Sequence, residues 1–276
     1  MRTVKRQTRE LNPGKERALR SLVTAFAAEK RLWLDRFAQR DHRALIQQHR
    51  QVRDAAIKDG YVPKSGLQAR MWKLALVDAA QTWDKFWQAM FVEVRSAVGR
   101  RHDFNEADRH YAFWLLSGYT QFFACLDGTA PVPKFLIEPD RRTKVMHFVQ
   151  RKIRKLRGRN PMIRTARSAV FDANCYNTFE EAGVQYVKLM GLEPKKRIAL
   201  PLLGRTAISG NIRLVLDETN VAHVHIGYDL HPAKLITPES GVIALDTGYT
   251  EAFVDTEGNA YGKGRPTTLI PPRDVS

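Results

Sequence analysis

Cysteine is nearly absent: Cys125 and Cys175 are the only two among 276 residues, far apart in sequence. Two such thiols make neither a disulfide framework nor a zinc pattern. That excludes the small cross-linked secreted scaffolds and makes a reducing cytoplasm the expected setting, with no zinc site. Long apolar runs are missing as well, and no stretch approaches the roughly 20 residues that span a bilayer. Met1-Arg2-Thr3-Val4-Lys5-Arg6 has no apolar segment behind it and does not read as a secretory signal, so no membrane association is expected. Acidic residues are scarce, 29 Asp and Glu against 45 Lys and Arg. The resulting net charge of +16 and pI near 10.1 make a polyanion, nucleic acid above all, the expected partner. Hydrophobic residues, by contrast, make up 43% of the chain, enough for the core of one large domain or two modest ones.

Residues 3–11 alternate loosely and suggest a short strand before Asn12-Pro13-Gly14 breaks it. A helix then starts near Lys15, with Leu19, Leu22, Phe26, Trp33 and Phe37 on one face. It, or a second helix, continues through Leu45 and Val52 to Gly60. Residues 67–98 carry the strongest helical pattern, because Trp72, Leu76, Ala80, Trp83, Trp87, Met90 and Val94 follow steps of three and four. Three tryptophans on one seam could be base-stacking platforms. Core packing accounts for them better, since large aromatics seldom stay exposed. One further helix is expected over 105–126, with Asn105 as N-cap and Asp108 in its first turn.

The next segment concentrates positive charge: Arg141, Arg142, Lys144, Arg151, Lys152, Arg154, Lys155, Arg157, Arg159 and Arg164. Val145, Val149, Ile153 and Leu156 give it an apolar face, so a helix can dock while its basic side points outward. These ten residues are the candidate nucleic-acid-binding set; each phosphate they meet would release condensed counterions. After Pro161 the pattern changes to short runs at 168–176, 184–192, 198–203, 212–216 and 221–228, with Asp217-Glu218-Thr219-Asn220 as a hairpin turn. His223 and His225 share a strand face two residues apart. No third ligand with suitable spacing supports a metal there, and polar residues on a half-buried strand explain them better.

The stretch that carries the most chemistry lies at 241–262. Residues 242–245 are a β-branched apolar run suited to a buried strand, and Asp246 sits at its end. Residues 252–254 read as a second strand and 256–259 as a tight turn. A carboxylate fixed at the end of a buried strand is a plausible metal ligand. Asp246-Thr247-Gly248 also matches the aspartic-protease tripeptide, although Tyr249 follows where that loop has a small residue. Asp255-Thr256-Glu257-Gly258-Asn259-Ala260-Tyr261-Gly262 fits the hairpin of RNase H-like, RuvC-type nucleases.

Taken with the order of elements, the chain resembles the N-terminal part of the TnpB (OrfB) family of transposon-encoded proteins, which are similar to type V CRISPR effectors. The resemblance implies an α+β fold. A helical recognition lobe (13–160) would be inserted in a small β-barrel-like wedge domain (1–12 and 165–235). The first strands of an incomplete RuvC-like nuclease domain (241–276) would follow. It further implies an RNA-guided DNA endonuclease of transposition, with guide-type RNA and target DNA as partners and base pairing as the source of sequence specificity. Asp246 would be catalytic, holding Mg²⁺ for in-line attack of water on phosphate. Such a site needs a Glu and a second Asp from later elements. Residues 265–272 supply no further strand with a carboxylate, while Asp255 and Glu257 belong to the same hairpin. One carboxylate cannot clamp two divalent cations, so the chain alone is expected to be a poor nuclease or none. It would be a truncated product, a fragment, or one part of a split protein whose second chain supplies the remaining carboxylates. The alternatives are an inert basic RNA-binding or accessory protein and, more remotely, a dimeric retroviral-type aspartic protease built on Asp246.

Overall fold

The first strand, β1 (Arg2–Gln7), pairs with the seventh, β7 (Ala222–Tyr228), in an antiparallel ladder that sets Lys5 opposite His225 and Arg6 opposite Val224. The seven helices of the described residues lie between β1 and the second strand, β2 (Ser168–Phe171), which belongs to the same four-stranded sheet. In this computed structural model, residues 2–129 and 132–228 are described, as is the backbone of three short strands beyond them. Two units are distinguished, Met1–Asp229 and Leu230–Ser276.

In the first unit the sheet order is β1-β7-β6-β2, with β6 spanning Ile212–Leu216. A second antiparallel sheet runs β3-β4-β5, formed by Tyr176–Glu181, Val184–Met190 and Arg197–Pro201. The two meet where the chain leaves β1. Thr8 bridges Leu202, and the Leu203 amide donates to the Gln7 carbonyl at 2.8 Å. Val187, Leu189 and Leu200 of one sheet and Leu214, Val224 and Ile226 of the other are buried, so each strand alternates between core and outer face. The junction is fastened by buried Arg6. Its Nε donates to the Leu203 carbonyl at 2.9 Å and its Nη1 to the Thr206 carbonyl at 2.7 Å, with further bonds to Gly204 and Gln185. The expected barrel-like closure is not found among the described residues. The turn at Asp172–Cys175, where the Cys175 amide donates to the Asp172 carbonyl at 2.9 Å, separates β2 from β3, and these end strands share no ladder.

The helices are α1 (Pro13–Ala38), α2 (Arg40–Arg43), α3 (His49–Lys58), α4 (Ala69–Gly99), α5 (Glu106–Leu115), α6 (Tyr119–Leu126) and α7 (Pro139–Leu156). None is long and apolar enough to cross a membrane. Asn12 starts α1 by accepting from the Lys15 amide at 2.8 Å, with Pro13 in the first turn where its missing N–H costs nothing. The tryptophans of α4 are core. Trp72 stacks on Trp33 with ring centroids 5.8 Å apart, Trp83 donates to the Leu34 carbonyl at 3.0 Å, and Trp87 meets Phe122 and Phe123 edge-on. A buried indole is worth about 3–5 kcal/mol against alanine, which accounts for the seam without any ligand. The single helix expected over 105–126 is instead two. Ser117 Oγ donates to the Trp114 carbonyl at 2.7 Å, competing with the helical ladder, and Gly118 turns extended before α6 begins.

Helices and sheet are joined by charge. Asp78 of α4 accepts from Lys30 Nζ of α1 at 2.8 Å and from Arg213 Nη2 of β6 at 2.6 Å, with Arg213 Nη1 at 3.3 Å. Burial works to raise the Asp78 pKa, but Arg213 and then Lys30 outweigh it and hold the carboxyl below its ordinary value.

In the second unit, β8 (Leu245–Asp246), β9 (Phe253–Asp255) and β10 (Ala260–Tyr261) form an antiparallel meander in the order β10-β9-β8. Asp246 is paired with Val254, and Leu245 with Asp255.

Candidate nucleic-acid interface

α7 places most of the basic set. Pro139 opens it, and Val145, Val149 and Ile153 recur at steps of four and are buried against the other helices, which fixes the direction of everything else on the helix. Leu156, expected on that apolar face, is 43% exposed because the last turn runs past the core. Arg154 and Lys155 fall in this turn, where the helix dipole favours cations.

The ten predicted residues divide by what they touch. Arg141 is engaged within the fold: its Nε donates to Asp108 Oδ1 at 3.0 Å, Nη2 bonds the other oxygen of the same buried carboxylate, and this pairing raises the guanidinium pKa. Arg142 is half-buried, and its Nε has no hydrogen-bond partner. Lys144 pairs with Asp103 at 3.1 Å; with Arg101 on the other side, it holds that carboxyl below its ordinary pKa. Lys152 lies 5.7 Å from the Phe148 ring centre. Arg157 sits 5.9 Å from the Trp87 ring and donates to Asn160 Oδ1 at 2.9 Å. Arg151, Arg154, Lys155, Arg159 and Arg164 are exposed and make no ion pair among the described residues.

Two cations absent from the predicted set complete the surface. Arg100 and Arg101 follow the end of α4 and face the second half of α7. With Ala97, Phe148, Arg151, Lys152 and Lys155 they line a groove of about 590 Å³. No carboxylate lines it among the described residues; Arg101 Nη2 pairs with Asp103, which is not in the lining, at 2.7 Å. The Arg101 guanidinium lies over Phe148 and Phe104 at 4.8 and 5.3 Å, which holds the planar fork in place. The aromatic floor is thus covered by Arg101 and Lys152, and what the groove offers a ligand is positive charge. The sequence signal was present as Gly99-Arg100-Arg101 at a helix end, but only the packing of α4 against α7 shows which helix it faces.

No known protein family's model matches this chain, and no curated protein is similar enough to count as a relative.

The remaining candidates fall elsewhere. His223 and His225 do share a face of β7, as the alternation implies. His223 Nε2 lies 3.1 Å from Asp217 Oδ2, while burial and then the charge of Lys5 lower the His225 pKa. No group of three metal-ligating side chains is found among the described residues. Asp246 lies in β8, but its side chain is outside the described residues. Glu257 lies outside the described residues.

Proposed function

We propose that this chain binds nucleic acid by taking phosphates into the groove between α4 and α7. It would serve as the RNA-holding part of a guided effector resembling TnpB. The observation that carries the proposal is the groove itself: Arg100, Arg101, Arg151, Lys152 and Lys155 converge on one concavity with no carboxylate in its lining. All but Arg101 make no ion pair among the described residues, so they repel one another, and a polyanion relieves the repulsion while releasing its own counterions. The insertion of all seven helices between β1 and β2 favours the TnpB-like version, because that is the arrangement of recognition lobe and wedge the resemblance implies.

Strand cutting is not assigned to the described residues. A two-metal site at Asp246 would need further carboxylates, such as those of a second chain, and Mg²⁺ enters this reading only on that condition. A basic RNA-binding protein with no cutting role is the second version, favoured by the groove, whose cations alone would hold RNA. Sequencing the RNA that co-purifies with the chain separates the two. One abundant structured RNA transcribed from beside its own gene is the expected result. Heterogeneous host RNA, released uniformly by moderate salt, would leave only the generic binder.

A further inference from the structure

Most large aromatic rings among the described residues pack in the core, but the stacked pair Phe179–Tyr186 lies outside it. Phe179 of β3 and Tyr186 of β4 are directly cross-strand; their ring centres lie 4.8 Å apart with planes only 9° from parallel. The alternation that buries Val187, Leu189 and Leu200 sends these two rings to the opposite, outer face of the β3-β4-β5 sheet. Phe179 keeps 36% of its surface in water there and Tyr186 is half-buried. A cross-strand stack alone could serve only the hairpin, but the neighbours on this face have a particular chemistry. Lys188 follows Tyr186 on the same face of β4, its Nζ 5.5 Å from the Phe179 ring centre. Arg197 stands opposite Met190 on β5 and donates from Nη1 to the Lys188 carbonyl at 3.4 Å. Ala199 and Pro201 fill the β5 side with small, flat surface. Two cations thus flank two parallel rings on an open sheet face; Glu181, at the hairpin end of β3, is the one carboxylate position on that face.

We propose that this face is a second nucleic-acid site, one that stacks unpaired bases of a single strand on the Phe179–Tyr186 pair while Lys188 and Arg197 take the adjoining phosphates. The charge balance selects the occupant. An apolar protein partner has no use for the two exposed cations beside the rings, whereas a strand alternating flat bases with phosphates matches both features at once. The site rests on the reading that the chain binds nucleic acid, but differs in chemistry from the α4/α7 groove, where Phe104 and Phe148 are buried beneath their cations while Phe179 here keeps a third of its surface in water.

The test compares a short oligouridine with an abasic strand of the same length and charge, binding each to the full chain by fluorescence anisotropy. A thymidine strand and its abasic counterpart are run alongside. Wild type should prefer the base-bearing strand by about tenfold. Discrimination with either pair supports the platform, and the larger ratio names the strand it takes. Phe179→Leu with Tyr186→Leu keeps apolar bulk and removes both rings; it should bring the ratio close to one without lowering the melting temperature by more than a few degrees. If the double variant does not fold, Phe179→Leu alone, at the more exposed ring, should still reduce the ratio severalfold. Arg151→Glu with Lys155→Glu should weaken both strands equally and leave the ratio unchanged. Equal binding of base-bearing and abasic strands by wild type overturns the platform alone, as does an undiminished ratio in the leucine variants. Binding of neither strand overturns the nucleic-acid reading beneath it.

Discussion

Asp78 serves two cations at once, Lys30 from α1 and Arg213 from β6, with only 6% of its side chain in water. Its neighbour in kind, Glu29, is also buried but accepts only from neutral donors: Trp33 Nε1 at 2.9 Å, the Tyr61 hydroxyl at 2.6 Å and Ser65 Oγ at 2.8 Å. Burial, and then its own bond to Glu29, push the Tyr61 hydroxyl pKa well up. The two carboxylates therefore do different work: Glu29 orders one helical corner, while Asp78 ties two helices to the sheet. Asp78→Asn leaves Lys30 and Arg213 facing each other without a counter-charge. The expected loss is about 3 kcal/mol, at the low end for a broken buried pair because Arg213 keeps 37% of its side chain exposed. Urea unfolding of the two proteins measures it. The pH dependence follows from the lowered pKa. Stability from the ionised carboxyl is fully present above the ordinary value of 3.8 and is lost as pH falls through the lower folded value. The variant should lose that part of the acid slope.

Among the elements, α5 shows how one residue can hold two helices. Asn105 accepts from the Asp108 amide at 2.9 Å and Asp108 accepts from the Asn105 amide at 3.1 Å, a reciprocal cap at the helix start. The same Asp108 carboxylate receives Arg141 from α7. Asn105→Ala should cost about 1 kcal/mol, the usual value of a cap. Asp108→Ala should cost measurably more, because α7 loses its anchor too; equal losses in thermal unfolding would mean that the Arg141 pair adds nothing. This cap was legible in the sequence, as was α4, whose apolar steps of three and four map directly onto its buried face. The β6–β7 hairpin was legible in the same way, since Asp217 accepts from the Thr219 and Val221 amides at 2.9 Å and Asn220 takes a positive φ. β3 was not. Asn177-Thr178-Phe179-Glu180-Glu181 is an edge strand exposed on both faces, so no apolar alternation marks it, and only its pairing with β4 reveals it. For the same reason the Phe179–Tyr186 stack could not be read from either strand alone. The candidate groove was half legible: α7 announced itself by charge density, whereas Arg100 and Arg101 join it through a packing of helices distant in sequence.

Across the whole molecule the excess of 45 basic over 29 acidic residues is not spread evenly in effect. Some cations are consumed by the fold, such as Arg6 at the sheet junction, Arg141 on Asp108 and Arg213 on Asp78. Others, such as Arg151 and Lys155, make no ion pair among the described residues and line a common groove with Arg100 and Lys152. That division, and not the total charge, is what the nucleic-acid assignment depends on. Its most direct test is the salt dependence of RNA binding by wild type and by Arg151→Glu with Lys155→Glu. Each phosphate contact contributes about 0.7 to the slope of log K against log salt for a single strand and about 0.9 for a duplex. If the groove holds phosphates, the double variant should bind more weakly at low salt and its slope should be shallower by about 1.5. An unchanged slope and affinity, in a variant that melts like wild type, would place the phosphates elsewhere on the protein and contradict the account.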